Sequence, residues 1–189
     1  MPAAPRTFLW RRLDAPGHDA CRLAPADGGG WRLEGMAVFR HGRQACGLAY
    51  ALQLDAHWHA RHAQVTGYWG RTPVALAVDR EPGEAVAWQA DGVPLPWADG
   101  LLDVDLGFTP ATNLPALRRL ALRTGQSAEA PALWLAVPGL RWQRLQQRYR
   151  RVGRFAYDYA APDVGYRGRL QVARDGAVEH YPGLFERVR

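Results

Sequence analysis

"GLAYALQLD", residues 47–55, alternates apolar and polar side chains with a period of two. Read as an extended segment, it gathers Leu48, Tyr50, Leu52 and Leu54 on one side and turns Gln53 and Asp55 to the other. The same rhythm runs outward in both directions. "WRLEGMAVF" (31–39) places Trp31, Leu33, Ala37 and Phe39 together, and Val74, Leu76 and Val78 repeat the pattern, as does Val86 with Trp88. Farther on come Phe155, Tyr157 and Tyr159, then Tyr166, Leu170 and Val172. Turn-forming clusters punctuate these runs: "DGGG" (27–30), "RHGR" (40–43), "REPGE" (80–84), "ADG" (90–92 and 98–100) and "RDG" (174–176). Short alternating runs at this cadence predict an all-β sheet system of antiparallel strands, not βαβ units. Two segments have helical composition. "ALRRLALR" (116–123) also alternates, and "LRWQRLQQRYRR" (140–151) lacks a clean apolar stripe, so both are read as strands.

The chain has 189 residues, 48% hydrophobic and 22% charged, without a long polar or Pro/Gly-rich spacer. One domain over residues 1–189 is expected. The formal charge of +6 comes from arginine alone, since no lysine occurs. Arginine solubilises a surface and also grips phosphate or carboxylate, so an anionic amphiphile and nucleic acid are both admissible partners on charge. "MPAAPRTFLWRRLD" carries no signal-like apolar run, and no stretch is long enough to span a bilayer; a cytoplasmic location is expected. Cys21 and Cys46 do not make a disulfide framework. Eight tryptophans and seven tyrosines can fill a tight core or line a concavity for an apolar ligand.

The most unusual stretch is "DVDLGFTPATNLPALRRL" (103–120). Extended, it sets Asp103 and Asp105 on one side, opposite Leu102, Val104 and Leu106. Two such acids can work as general acid and base or begin a metal site. They can equally accept hydrogen bonds from Arg118, Arg119 and loop amides, as buried carboxylates require. Thr109, Thr112 and Asn113 suit a tight loop whose side chains cap neighbouring amides.

That stretch, "RLQQRYRRVGRFAYDY" and "VARDGAVEHYPGLFERV" together resemble the putative glycolipid-binding family of bacteria. The likeness spans nearly the whole chain, because its Asp-x-Asp, Thr-Pro-x-Thr-Asn, Arg-Arg, Gln-x-Tyr and Tyr-Pro-Gly-Leu-Phe elements occur in order. It implies a spiral β-roll or incomplete barrel of strongly curved strands, similar in outline to bacterial lipoprotein carriers, with an apolar interior for acyl chains. The family-like positions are Asp103, Asp105, Thr109, Pro110, Thr112, Asn113, Pro115, Arg118, Arg119, Gln147, Tyr149, Tyr157, Tyr181 and Pro182. The resemblance supplies no catalytic residues. Leu101 and Leu102 stand where the family commonly has a Gly-Cys pair, and relatives often carry one more residue between Asn113 and Leu114.

Other constellations are weaker. Asp55, His57 and His59 would line one side of a strand, with His62 as a fourth metal ligand after a bend, but without a zinc-type spacing. "DGGGW" (27–31) reads as a turn, not a phosphate loop, and Ser127, the only serine, sits in a hairpin-like loop. Cys21 or Cys46 with His18 or His41 could mimic a dyad only if the fold joined them. Arg141, Arg144, Arg148, Arg150, Arg151 and Arg154, interleaved with Trp142, Tyr149 and Phe155, suit a solvated strand face, an anionic lipid headgroup or nucleic-acid phosphates.

The leading expectation is a non-enzymatic binder of an amphiphile, a glycolipid or fatty-acyl compound held in an apolar space between curved sheets. No metal or cofactor is assigned. Residues 103–119, with Gln147, Tyr149, Tyr157 and Tyr181, would bind ligand or brace its site. Two rivals stay open: a hydrolase or isomerase using Asp103 and Asp105, and a structural or protein-interaction domain without a small ligand.

Overall fold

The computed structural model of the chain describes residues 4–81 and 87–189. Val86 and most of the "REPGE" turn lie outside the described residues. The first half of the chain is a run of strands: β1 (Arg6–Arg12), β2 (Gly17–Pro25), β3 (Trp31–His41), β4 (Gln44–Leu54), β5 (Ala60–Trp69), β6 (Thr72–Arg80), β7 (Trp88–Ala90) and β8 (Val93–Pro94). Then come β9 (Asp103–Leu106), one α-helix, α1 (Asn113–Leu120), and β10 (Ser127–Glu129). The remainder is β11 (Ala132–Ala136), β12 (Arg141–Leu145), β13 (Arg148–Gly153), β14 (Ala156–Ala161), β15 (Tyr166–Val172), β16 (Val178–Tyr181) and β17 (Phe185–Arg187). The turn clusters at 27–30, 40–43, 90–92 and 174–176 fall between paired strands as expected.

Among the described residues, fourteen strands form one antiparallel sheet in the order β10-β13-β14-β15-β16-β17-β1-β2-β3-β4-β5-β6-β7-β8, left open between its two ends. This is the all-β roll. A second sheet of three strands, β12-β11-β9, pairs β11 with β9 in parallel and with β12 antiparallel. Alternation fixes the register of the large sheet, because a one-residue slip would turn every apolar side chain outward. Leu33 faces Leu52, and Phe39 faces Cys46, all four buried.

The core is one continuous cluster joining the two sheets and the helix, from Leu33, Leu48 and Val65 of the large sheet to Leu106, Leu133 and Leu135 of the small one. Each such side chain removed from water contributes roughly 1.5–3 kcal/mol. Trp10 and Trp88 are also fully enclosed, and their indole N–H groups donate to the carbonyls of Val178 (2.7 Å) and Leu101 (2.9 Å). Phe155 departs from the expected pattern: it sits in the β13–β14 turn and is exposed.

The strand expected at 116–123 is corrected: residues 116–120 are the second part of α1, and 121–123 follow it without regular structure. Residues 113–117 are buried on every side, so α1 shows no polar stripe until Arg118 and Arg119. Pro115 stands in the first turn, where an amide has no intrahelical partner to lose. Ala121 ends the helix in the left-handed region, φ 44°, with its N–H donating to the Leu117 carbonyl. The segment 140–151 is strand, broken at Gln146 and Gln147 between β12 and β13. Ser127, expected in a loop, begins the edge strand β10 opposite Arg150.

Candidate functional site

The unusual stretch forms β9, a tight turn and α1, and its polar side chains other than Arg118 are buried or half-buried. Asp103 is 3% exposed and is clasped by both ends of the Arg119 fork: Nε donates to Oδ1 at 3.0 Å and Nη2 to Oδ2. Burial pushes the Asp103 carboxyl up, against the pull of Arg119. Asp105, two residues on, accepts from Gln147 Nε2 at 2.5 Å. Burial raises its carboxyl to about 6, the Gln147 hydrogen bond opposes this, and the nearby Asp103 charge adds to it. Asn113 Nδ2 donates to Tyr149 Oη at 2.9 Å, tying the start of α1 to β13. Tyr149 packs on Tyr159, ring centroids 4.8 Å apart, and Tyr159 continues to Tyr166 and Tyr181.

Thr109 turns to another acid, one that the sequence reading missed. Asp19 of β2 is wholly buried, and Thr109 Oγ1 donates to its Oδ2 at 2.5 Å. Tyr50 Oη lies 3.1 and 3.0 Å from the two Asp19 oxygens and 3.2 Å from Thr109 Oγ1. Burial lifts Asp19 to about 7, while the Thr109 and Tyr50 hydrogen bonds and the Arg12 charge pull it down. Arg12 itself donates to the Phe108 carbonyl at 3.2 Å and lies over the rings of Phe39 and Phe185. A carboxylate in phase with Cys21 and Leu23 on the inward side of β2 is the signal that could have found it. Thr109 and Thr112 also cap backbone amides, those of Ala111 (3.0 Å) and Leu106 (3.3 Å).

These contacts sort the expected residues. Asp103, Asp105, Thr109, Thr112, Asn113, Arg119, Gln147 and Tyr149 belong to buried or half-buried networks around β9 and α1, which Thr109 and Asn113 tie to the large sheet through Asp19 and Tyr149. Arg118 is corrected. It does not reach either acid but swings outward to donate to the Asp175 carbonyl at 2.5 Å. Tyr157 lies under the Arg151 guanidinium beside a separate hollow, and Tyr181 joins the tyrosine cluster. With Asp103 locked on Arg119, the two acids do not share an open cleft. The buried side chains of both sheets and of α1 pack into one cluster.

The histidine segment does not converge either. Asp55 is committed to the His57 and His59 amides, both at 2.9 Å, and to Arg61, while His62 pairs with Asp79 at 2.7 Å. Among the described residues no group of three or more His, Cys, Asp and Glu is placed to hold a metal ion. Cys21 and Cys46 are buried free thiols, and burial pushes both up.

An open hollow does exist on the arginine-rich strands. Glu129, Arg148, Arg150, Asp158, Tyr159 and Arg167 line a trough of about 710 Å³. The register builds it from two charged rows: Glu129–Arg148–Ala160–Arg167 and Ser127–Arg150–Asp158–Arg169. Four strands at ~4.8 Å spacing make each row roughly 14 Å long. Asp158 and Arg169 pair at 2.7 Å, whereas Glu129 and Arg148 stand 3.6 Å apart and both are well exposed.

The sequence model of the family described as "Putative glycolipid-binding" matches residues 7–187. A search of curated proteins found no match. Among solved structures, a DUF1089 family protein from Pseudomonas aeruginosa is 30% identical, with a TM-score of 0.69 over all of this chain and 94% of that one.

Proposed function

The chain belongs to the putative glycolipid-binding family, and from that premise we propose that it binds an amphiphile through an anionic, hydroxyl-bearing headgroup in the β13–β15 trough. The observation that carries this reading is the double row of arginines and acids lining the 710 Å³ hollow. That volume falls within the range of ligand pockets, about 300–1,000 Å³. Guanidinium forks grip phosphate or carboxylate oxygens in pairs, and Asp158 and Glu129 accept from sugar hydroxyls. In this reading the trough takes the headgroup from the outer face of the sheet, and the acyl portion stays outside the roll, in its own bilayer or micelle. The buried networks around Asp19, Asp103 and Asp105 hold the wall in shape and perform no chemistry in this reading.

Co-sedimentation with phosphatidylcholine vesicles, plain or doped with an anionic glycolipid, tests it. The protein should pellet with the doped vesicles only, and added salt should weaken binding as it screens exposed charge. Arg150→Gln/Arg167→Gln should lose at least tenfold in affinity with an unchanged melting temperature. Equal binding by this variant, or indifference of the wild type to the glycolipid, would refute the proposal.

A further inference from the structure

A smaller hollow, of about 290 Å³, opens where the end of α1 meets the β13–β14 and β15–β16 turns. The buried Leu117, Tyr157 and Val172 give it an apolar floor. Four arginines, Arg118, Arg151, Arg154 and Arg174, stand around that floor. Strand register separates it from the trough. Arg151 is paired with Tyr157, whereas its neighbour Arg150 is paired with Asp158, so the two sets of side chains leave β13 and β14 on opposite faces.

Two of the guanidinium groups are held in place. Arg151, half-buried, donates from Nη1 to the Leu122 carbonyl at 2.7 Å and from Nη2 to the Arg154 carbonyl at 2.7 Å. Its Nε donates to the Gly153 carbonyl at 3.2 Å, and the group lies over the Tyr157 ring, 5.6 Å from the centroid. Arg118 comes from the helix side and donates to the Asp175 carbonyl at 2.5 Å. Its guanidinium takes the space that a side chain at Gly176, another lining residue, would need.

The charge of these groups is not balanced. Each of the bonds just named ends on a backbone carbonyl. Among the described residues, none of the four arginines forms a salt bridge with a carboxylate. Asp175, next to Arg174 in the chain, turns its carboxylate to Arg187 at 2.9 Å instead. Carbonyl dipoles orient a guanidinium without neutralising it, and an apolar floor weakens the screening of its charge by water. Arg151 also keeps N–H groups to spare, because its fork carries more donors than its carbonyl bonds use.

We infer that this hollow is a second anion site, which takes a doubly charged phosphate group, either a phosphomonoester or pyrophosphate. Arginine forks match phosphate oxygens in pairs. A singly charged carboxylate would leave most of the arginine charge unbalanced. No acid lines this hollow among the described residues, in contrast with Glu129 and Asp158 in the trough. Nothing there repels a dianion or accepts from sugar hydroxyls. The phosphate comes either free in solution or at the head of a lipid. The inference rests on this hollow alone and does not depend on the trough.

Calorimetric titration at low ionic strength, in a buffer free of phosphate, tests it with inorganic pyrophosphate, glycerol 3-phosphate and acetate. A lipid source is tested by co-sedimentation with phosphatidylcholine vesicles doped with phosphatidic acid. At least one soluble phosphate should bind saturably, acetate at least tenfold more weakly, and salt should weaken both. Arg118→Gln/Arg174→Gln, which spares the Arg151 bonds, should lose at least tenfold in affinity with an unchanged melting temperature. Arg150→Gln/Arg167→Gln should bind phosphate as the wild type does, so failure here and failure of the trough reading are separable. Binding to the doped vesicles alone, lost in Arg118→Gln/Arg174→Gln, supports the site with a lipid as its source. Absence of binding to both soluble phosphates and to the vesicles overturns the inference. Undiminished binding in Arg118→Gln/Arg174→Gln, or acetate binding as tightly as phosphate, does so too.

Discussion

The Thr109 hydroxyl donates to Asp19 Oδ2 at 2.5 Å across 90 positions of sequence. It joins the second strand of the large sheet to the turn that leads into the helix. Asp19 binds its proton more tightly in the native chain than in the unfolded one, with its pKa raised from 3.8 to about 7 by burial. The native state therefore carries more protons between these limits, and stability falls as pH rises through about 7. Asp105, raised to about 6, acts in the same direction. Asp19→Asn should shrink the gap between melting temperatures at pH 5 and pH 8, measured by circular dichroism. A gap as large as in the wild type would show that Asp19 does not set it.

Removal of Arg119 leaves the Asp103 carboxylate buried without its cation. Arg119→Met should cost about 3–5 kcal/mol, the usual penalty for breaking a buried pair from one side. Asp103→Asn in the same chain should restore part of that loss in urea unfolding.

Tyr149→Phe keeps the ring that packs on Tyr159 but deprives Asn113 Nδ2 of its acceptor. A lost buried partner of this kind costs about 1–3 kcal/mol. The cost should shrink in the Asn113→Ala background, where only the 3.5 Å bond from the Tyr149 hydroxyl to Gln147 Oε1 is left to lose, and a double-mutant cycle measures this directly.

Gly35 lies opposite Tyr50, and a Cβ there would run into the Tyr50 ring and hydroxyl. Gly35→Ala should destabilise by about 1–3 kcal/mol through overpacking. It should also loosen the hydroxyl from Asp19, visible as a changed pH dependence of the melting temperature.

The strands were legible because one face of each is buried: Leu48, Tyr50, Leu52 and Leu54 keep a clean period of two. The helix was not, since immersion of residues 113–117 in the core removes the polar side from which a helical period is read. The bracing role of Asp103 could be read from the nearby arginines, although which arginine serves it could not. On α1 the two are neighbours pointing to different sides, and only Arg119 faces β9. Asp19 escaped notice because its partners Tyr50 and Thr109 are distant in sequence. The trough was foreshadowed by the arginine run, but the acids opposite came into line only through strand register.

Strands β1 and β17 lie side by side in the middle of the large sheet, with Trp10 opposite Arg187 and Arg12 opposite Phe185. During synthesis on the ribosome, β1 through β8 emerge early, yet the outer edge of β1 keeps its backbone amides and carbonyls unmatched until Phe185–Arg187 appear. For most of translation the nascent chain thus presents an adhesive flank to its neighbours. Arg11, on that flank, supplies a charge that discourages intermolecular pairing until Glu186 arrives to meet it at 2.7 Å.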